Sequence, residues 1–196
     1  MATATRKTAA VKAARKAPAK KTTRAASTST SSGPDAIALL RADHKKVSGL
    51  YEQYENTRSA AKKKSLVATI CLELSVHAKV EEEIFYPAVK AALKDKEMVP
   101  EAQVEHATLK ELIAQVKDKE PDGEMFDAKI KVMSEYTKHH VKEEQNEMFP
   151  KAKATRLDMK DLGARMAARK EELMADPALL DAPPVPASPA MEPAAS

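Results

Sequence analysis

The stretch His77-Ala78-Lys79-Val80-Glu81, closing on Tyr86-Pro87, returns as His140-Val141-Lys142-Glu143-Glu144, closing on Phe149-Pro150. The matched positions are offset by 63 residues throughout. In each copy a histidine and a glutamate stand four apart, so on a helix they share one face, with Cβ atoms about 5–6 Å apart. The residues around each copy keep that phase. Leu66, Ile70, Leu74, His77, Glu81, Ile84 and Ala88 form one face, and Phe126, Ile130, Met133, Thr137, His140, Glu144 and Met148 form another. The repeat marks two equivalent helices of a pseudo-symmetric assembly. Each proline is expected to kink or end its helix.

Two further faces have the same period. Ile37, Leu40, His44, Val47, Tyr51 and Tyr54 recur at spacings of three and four from Asp35 onward. Ala102, His106, Leu109, Ile113 and Val116 follow Pro100, a residue suited to a first helical turn. Pro121-Asp122-Gly123 is a clear breaker. Four amphipathic helices with short connections predict an all-α, antiparallel up-down-up-down four-helix bundle over residues 35–157. Composition agrees: with 43% hydrophobic and 32% charged residues, only 4 Gly and no Trp, the chain suits helices and lacks the turns of an all-β fold.

Residues 158–176 read as an additional helix, with Leu162, Met166, Arg169 and Leu173 roughly in phase. Its apolar stripe is thin, so it either packs across the bundle or stays loosely attached. Residues 177–196 hold six prolines among Ala and Ser and read as a disordered tail. Residues 1–34 carry 8 Lys/Arg, no acid and no apolar period, and read as a second disordered tail. The net charge of +4 therefore hides a domain with 25 bases and 29 acids. The isoelectric point near 9.0 describes the tail.

That basic tail admits three readings: a solvated tail, a non-specific DNA-binding arm of linker-histone type, as the run Lys16–Lys21 suggests, or an organelle transit peptide. No apolar run follows its basic residues, so it does not read as a secretory leader. No stretch is long enough to span a membrane. The expected location is the bacterial cytoplasm, with a nucleoid association if the tail binds DNA. Cys71 is the single cysteine, which excludes an intramolecular disulfide and a Cys-rich zinc site. It lies about 120° round its helix from His77 and reads as a packing residue.

The chemistry lies in the histidines. His44, His77, His106 and His140 each occupy a core-facing position, one on each helix. His139 lies about 100° from His140 and should face elsewhere. Glu81 and Glu144 share the buried faces of His77 and His140. Burying two ionised carboxylates without a positive partner is costly, and a pair of metal ions would supply that charge. The other acids of Glu81-Glu82-Glu83 and Glu143-Glu144 read as solvated. Ferritin-like bundles place Glu three before His. Here those positions are Arg41, Leu74, Gln103, Tyr136 and Thr137. The His-Glu-x-x-His motif of metalloproteases and a Gly-rich phosphate loop are both missing from the sequence. Imidazole with carboxylate suits iron, and also zinc or manganese.

His44, then His77-x-x-x-Glu81, then His106, then His140-x-x-x-Glu144 resembles the hemerythrin-like (HHE cation-binding) family over roughly residues 35–157. The resemblance implies a four-helix bundle around two non-haem iron ions. The four histidines would be terminal ligands, and Glu81 and Glu144 would bridge the irons beside an oxo, hydroxo or water bridge. Oxygen-carrying hemerythrins have His-x-x-x-His on the third helix, where this chain has His106 and Lys110. They have His-x-x-x-x-Asp on the fourth, where this chain has His140 and Glu144. The departures leave positions for water, peroxide, nitric oxide or a phenolate. Tyr51, seven residues after His44, is the candidate phenolate or neighbouring redox group, with Tyr54 a weaker one. Ile37, Leu40, Leu74, Leu109, Ile113 and Met133 are expected to line the site.

Three functions are then open. One is a di-iron protein that binds or reacts with oxygen, nitric oxide or peroxide in sensing, iron handling or oxidative-stress defence, with peroxide decomposition as the enzymatic form. The second is a DNA-associated bundle acting through residues 1–34. The third is a metal-storing bundle without turnover.

Overall fold

Asp35 opens the first helix: its carboxylate accepts a hydrogen bond from the Ala38 N–H at 2.8 Å, and α1 runs Ala36–Glu55. The computed structural model describes residues 33–181, so the readings of residues 1–34 and 177–196 as tails fall mostly outside it. Ser59 caps α2, Ala60–Val80. A π turn, Glu81–Phe85, leads into α3, Tyr86–Ala92. Then come α4, Met98–Val116, and α5, Glu124–Glu143. Gly123 precedes α5 at φ 84°, a conformation that favours glycine. A second π turn, Glu144–Met148, leads into α6, Phe149–Lys153. Asp158 caps α7, Met159–Ala175.

The predicted bundle is present. α1 packs on α2 and α5, and α4 packs on α5 and α2. Two apolar clusters fill it. One contains Ile37, Leu40, Val76, Val80, Phe85, Tyr86 and Phe149; the other contains Val47, Tyr51, Leu66, Ile70, Leu109, Ile130 and Met133. Along each helix the site histidine falls between residues of the two clusters: His44 between Leu40 and Val47, and His106 between Ala102 and Leu109. The histidines thus form a polar layer between two apolar ones. Cys71 is buried in the second cluster as a packing residue, and burial pushes its thiol up to about 11.

The prolines do not end the helices. Within an α-helix the Pro87 ring would press on the Glu83 carbonyl. Instead the Tyr86 N–H bonds the Glu81 carbonyl five residues back, and Pro87 falls in the first turn of α3, where its missing N–H costs nothing. Phe149, Glu144 and Pro150 repeat the arrangement. The extra residue of the π turn also rotates the buried face. Ile84 and Ala88 were expected inside but are only partly buried, while Phe85, Tyr86 and Val89 are fully enclosed.

The additional helix is firmly attached. α7 lies on α1 and α2 and buries Leu162, Met166 and Leu173 in the first cluster. Arg169 pairs with Glu83 at 2.7 Å, and Lys170 pairs with Asp43. At Gly163 the α7 backbone runs against the Pro34–Ala36 backbone, leaving no space for a Cβ. Residues 177–181, expected to begin the tail, form a short 3₁₀ turn, Pro177–Leu180, capped by the Asp176 side chain. Leu179 and Leu180 pack against the first cluster. Among the described residues no helix is long and apolar enough to cross a membrane.

Candidate metal centre

The four core-facing histidines meet in two pairs. Nε2 of His44 and Nε2 of His77 stand 3.1 Å apart, as do Nε2 of His106 and Nε2 of His140. Two carboxylates join the pairs. Glu81 Oε2 lies 3.1 Å from His77 Nε2 and 3.5 Å from His106 Nε2. Glu144 Oε2 lies 3.2 Å from His44 Nε2 and 3.7 Å from His140 Nε2. Each carboxylate thus spans one histidine of each pair, the pseudo-symmetry already visible in the repeat. All six side chains are buried. Their donor atoms fall into two groups, His44–His77–Glu81–Glu144 and Glu81–His106–His140, each with atoms within 4.8 Å of one another.

Each outer ring nitrogen faces a polar side chain of a neighbouring element. His77 Nδ1 faces Asp43 Oδ2 at 3.6 Å, His106 Nδ1 bonds Glu82 Oε1 at 3.1 Å, and His140 Nδ1 bonds Glu105 Oε2 at 2.6 Å. The amide of Gln145 stands 3.0 Å from His44 Nδ1. Each brace comes from the preceding helix in the cycle α1, α2, α4, α5 and back to α1, or from the π turn that continues it, and each is the sequence neighbour of a site residue. A neighbour about 100° round the helix points at the next helix rather than at the centre. The Glu82 and Glu105 carboxylates accept from Nδ1 and so fix the tautomer of His106 and His140, leaving Nε2 free as a ligand atom, whereas the Gln145 amide donates to Nδ1 of His44 and orients that ring. The braces are themselves held: Asp43 by Lys170, Glu82 by Lys110 at 2.7 Å, and Gln145 by Arg41 at 3.4 Å.

Without a metal this centre is poorly satisfied. Glu81 Oε1 and Glu144 Oε2 have no hydrogen-bond partner. Burial, with Glu144 beside it, holds the Glu81 carboxyl well above the usual range. Burial opposes ionisation of Glu144 as well, but the His44 imidazole 3.2 Å from its Oε2 and the other nearby imidazoles outweigh it and hold Glu144 below that range. Burial pushes His77 down to about 4, which keeps it neutral, the form that ligates. Inward imidazoles, inward carboxylates, orphaned oxygens and outer braces together fit a metal ion.

Three expectations need correction. Tyr51 does not join the centre; its hydroxyl faces Thr137 Oγ1 at 3.4 Å. The phenol in the centre belongs to Tyr86, which donates to Glu144 Oε1 at 3.0 Å and lies 3.3 Å from His106 Nε2. The π turn brings it there. Glu82 and Glu83 are not simply solvated, since one braces His106 and the other pairs with Arg169. His139 does face outward, at 60% side-chain exposure. Of the expected lining, only Leu74 and Leu109 border the small cavity of about 10 Å³ against the four histidines. Val47, Thr137 and Val141 share it, while Ile37, Leu40, Ile113 and Met133 belong to the flanking clusters.

Comparison with known proteins follows the same line. A DNA nickase of Nostoc sp. is 26% identical over 111 residues, 57% of this chain. That match spans only 31% of the nickase. An uncharacterized protein of Mycobacterium tuberculosis is 24% identical over 147 residues, covering 73% of this chain and 89% of the relative. The crystal structure of a hemerythrin HHE cation-binding domain-containing protein from Mycobacterium kansasii superposes with a TM-score of 0.63 at 22% identity. It covers 72% of this chain and 88% of that one, and supports the fold. The family model of the hemerythrin HHE cation-binding domain matches residues 35–152, the segment that carries all six inward-facing side chains, and the chain belongs to that family.

Proposed function

We propose that the centre holds two iron ions and that the protein binds or reacts with a small redox ligand: oxygen, nitric oxide or peroxide. One observation carries this reading: two histidine pairs are joined by two buried carboxylates, each of which spans both pairs. Iron in such a donor set supplies ferrous–ferric redox chemistry and an open position for a small ligand. The protein's part is to hold His77 and His106 neutral by burial and to exclude bulk water. A small cavity of about 10 Å³ lies against the four histidines. Tyr86 places a phenolic proton at Glu144, within reach of a ligand in the centre. Tyr51 keeps an outer role: it lines, with His44 and Lys138, a separate cavity of about 290 Å³.

The test is metal content and visible spectrum of aerobically purified protein, before and after peroxide. Close to two irons per chain, with ferric absorption that responds to peroxide, supports the reading. Failure to take up iron after anaerobic ferrous reconstitution refutes it. Iron with no spectral response to oxidant leaves storage without turnover.

A second reading concerns residues 1–34, whose 8 basic residues carry no balancing acid. We propose that they bind DNA non-specifically and bring the centre to the nucleoid of a bacterial cytoplasm. The likeness to a DNA nickase favours this context. Full engagement predicts a salt slope of about −7 in log–log affinity, from roughly −0.9 per phosphate. Deleting residues 1–34 should abolish DNA binding and leave the metal site intact. Equal binding by the truncated chain sinks the idea.

A further inference from the structure

A cavity of about 220 Å³ reaches from the surface to the buried centre between α4, α5 and the second π turn. Its inner wall is made by His140 and Glu144, two of the six inward-facing residues. Seven carboxylates line it, and its one lysine, Lys151, is tied to Asp95 at 3.0 Å. Low-dielectric walls carrying one sign of charge focus field and concentrate counter-ions.

Two observations beyond charge point to a cation. Glu144, which lines the cavity, is 1% exposed, and its Oε2 has no hydrogen-bond partner. Further out, Glu105 and Glu143 of the cavity wall converge with His139, their donor atoms within 4.8 Å of one another. His139 Nε2 lies 3.2 Å from Glu143 Oε1 and 3.6 Å from Glu105 Oε1. Imidazole with two carboxylates is a donor set for a divalent transition-metal ion. Glu105 belongs to both places, since its other oxygen braces His140 in the centre.

We propose that this cavity is the route by which a divalent cation reaches the buried centre, and that Glu105, His139 and Glu143 form its outer binding site. The proposal rests on the reading of the centre as a metal site. The outer triad captures the hydrated cation and replaces part of its water. The cation then passes inward to Glu144 and His140. The acid-lined wall makes capture fast, and the buried donors make the inner site the tighter one.

The test is the rate of metal loading. The metal-stripped full-length chain is mixed with two equivalents of cobalt(II) alone, no more than the tighter inner site takes, and the visible ligand-field bands are followed by stopped flow. The His139→Ala/Glu143→Gln double variant should load about tenfold more slowly or worse. Its final absorbance per chain and its melting temperature should match those of the unaltered protein, and its rate should depend less on salt. Glu101→Gln, which removes a charge from the exposed lining, should show a smaller slowing. Glu124→Gln, which removes a charge outside the cavity, should load at the normal rate. A double variant that loads within twofold of the unaltered rate overturns the route. A double variant that also loses final absorbance overturns it too, by making the triad part of the centre. If the unaltered chain itself develops no cobalt bands, the metal-centre reading fails first and the route falls with it.

Discussion

Glu105 accepts a 2.6 Å hydrogen bond from Nδ1 of His140, joining the face of α4 to the inward face of α5. The bond settles the His140 tautomer with Nε2 turned inward. It also raises the affinity of the ring for positive charge: burial alone would depress its pKa, yet the hydrogen bond and surrounding carboxylates shift it upward. Glu105→Gln should therefore keep the fold and the inward-facing residues but weaken metal affinity about 10–100-fold, the usual cost of losing such a brace. Chelator competition on the two proteins measures it. Equal affinities would mean that His140 is oriented by packing alone.

Glu81 separates holding metal from holding the fold. In the metal-free state its carboxyl is pushed well above the usual range by burial and by Glu144, so glutamine closely mimics its neutral form. Glu81→Gln should leave apo-protein stability within about 1 kcal/mol. It should remove the metal-induced gain, which for the unaltered protein at a thousandfold excess over Kd is about 4 kcal/mol. That corresponds to roughly 10 °C in melting temperature for a domain of this size. Scanning calorimetry with and without metal gives all four values. A variant that still gains the full increment with metal would remove Glu81 from the ligand set.

The sequence makes the bundle and the six inward residues legible because both follow from one period. His44, His77, Glu81, His106, His140 and Glu144 fall in phase with apolar neighbours that the core must bury, and the 63-residue echo repeats the phase. Tyr86 was hidden because a 3.6-residue period carried past Glu81 selects Ile84 and Ala88. Only a π turn brings Phe85 and Tyr86 inward together. The hint was the proline after each His-x-x-x-Glu unit, which an undisturbed helix would not tolerate. The braces were hidden for another reason. Asp43, Glu82, Glu105 and Gln145 each sit one residue from an inward-facing residue, at an angle that a single helix treats as its polar flank. Their use appears only when the next helix is in place. Tyr51 matched the period and sits in the core, but helical phase does not show how far along the bundle a side chain reaches.

Gly163 tests how α7 is held. A Cβ there would stand 2.7 Å from both the Ala36 nitrogen and the Asp35 carbonyl carbon, which are backbone atoms that cannot swing aside. Gly163→Ala must therefore push α7 off the start of α1, against the normal helix-favouring effect of alanine. The expected loss is about 1–3 kcal/mol, as for overpacking elsewhere. Thermal melting of the metal-free protein measures it. A neutral or stabilised variant would show that the contact between α7 and residues 34–36 yields freely.

Asp127 ties three helices at the end of the bundle where α5 begins. Its Oδ1 accepts from the Tyr54 hydroxyl of α1 at 2.6 Å, and Lys63 of α2 reaches both oxygens at 2.7 and 2.8 Å. The Lys63 and Tyr54 hydrogen bonds hold the carboxyl below its ordinary value of 3.8. A depressed folded value means that the unfolded chain takes up the proton first. The contribution of Asp127 to stability is therefore complete above the unfolded value and is lost as pH falls through the lower folded one. Asp127→Asn keeps an acceptor for Tyr54 but removes the charge. It should cost about 0.5–1 kcal/mol near neutral pH. The gap from the unaltered protein should hold down to about pH 4 and close below it. Paired urea titrations from pH 7 to pH 3 follow that difference while cancelling the other carboxylates. A gap that persists unchanged at pH 3 would assign the loss to packing at Tyr54 instead of to the charge.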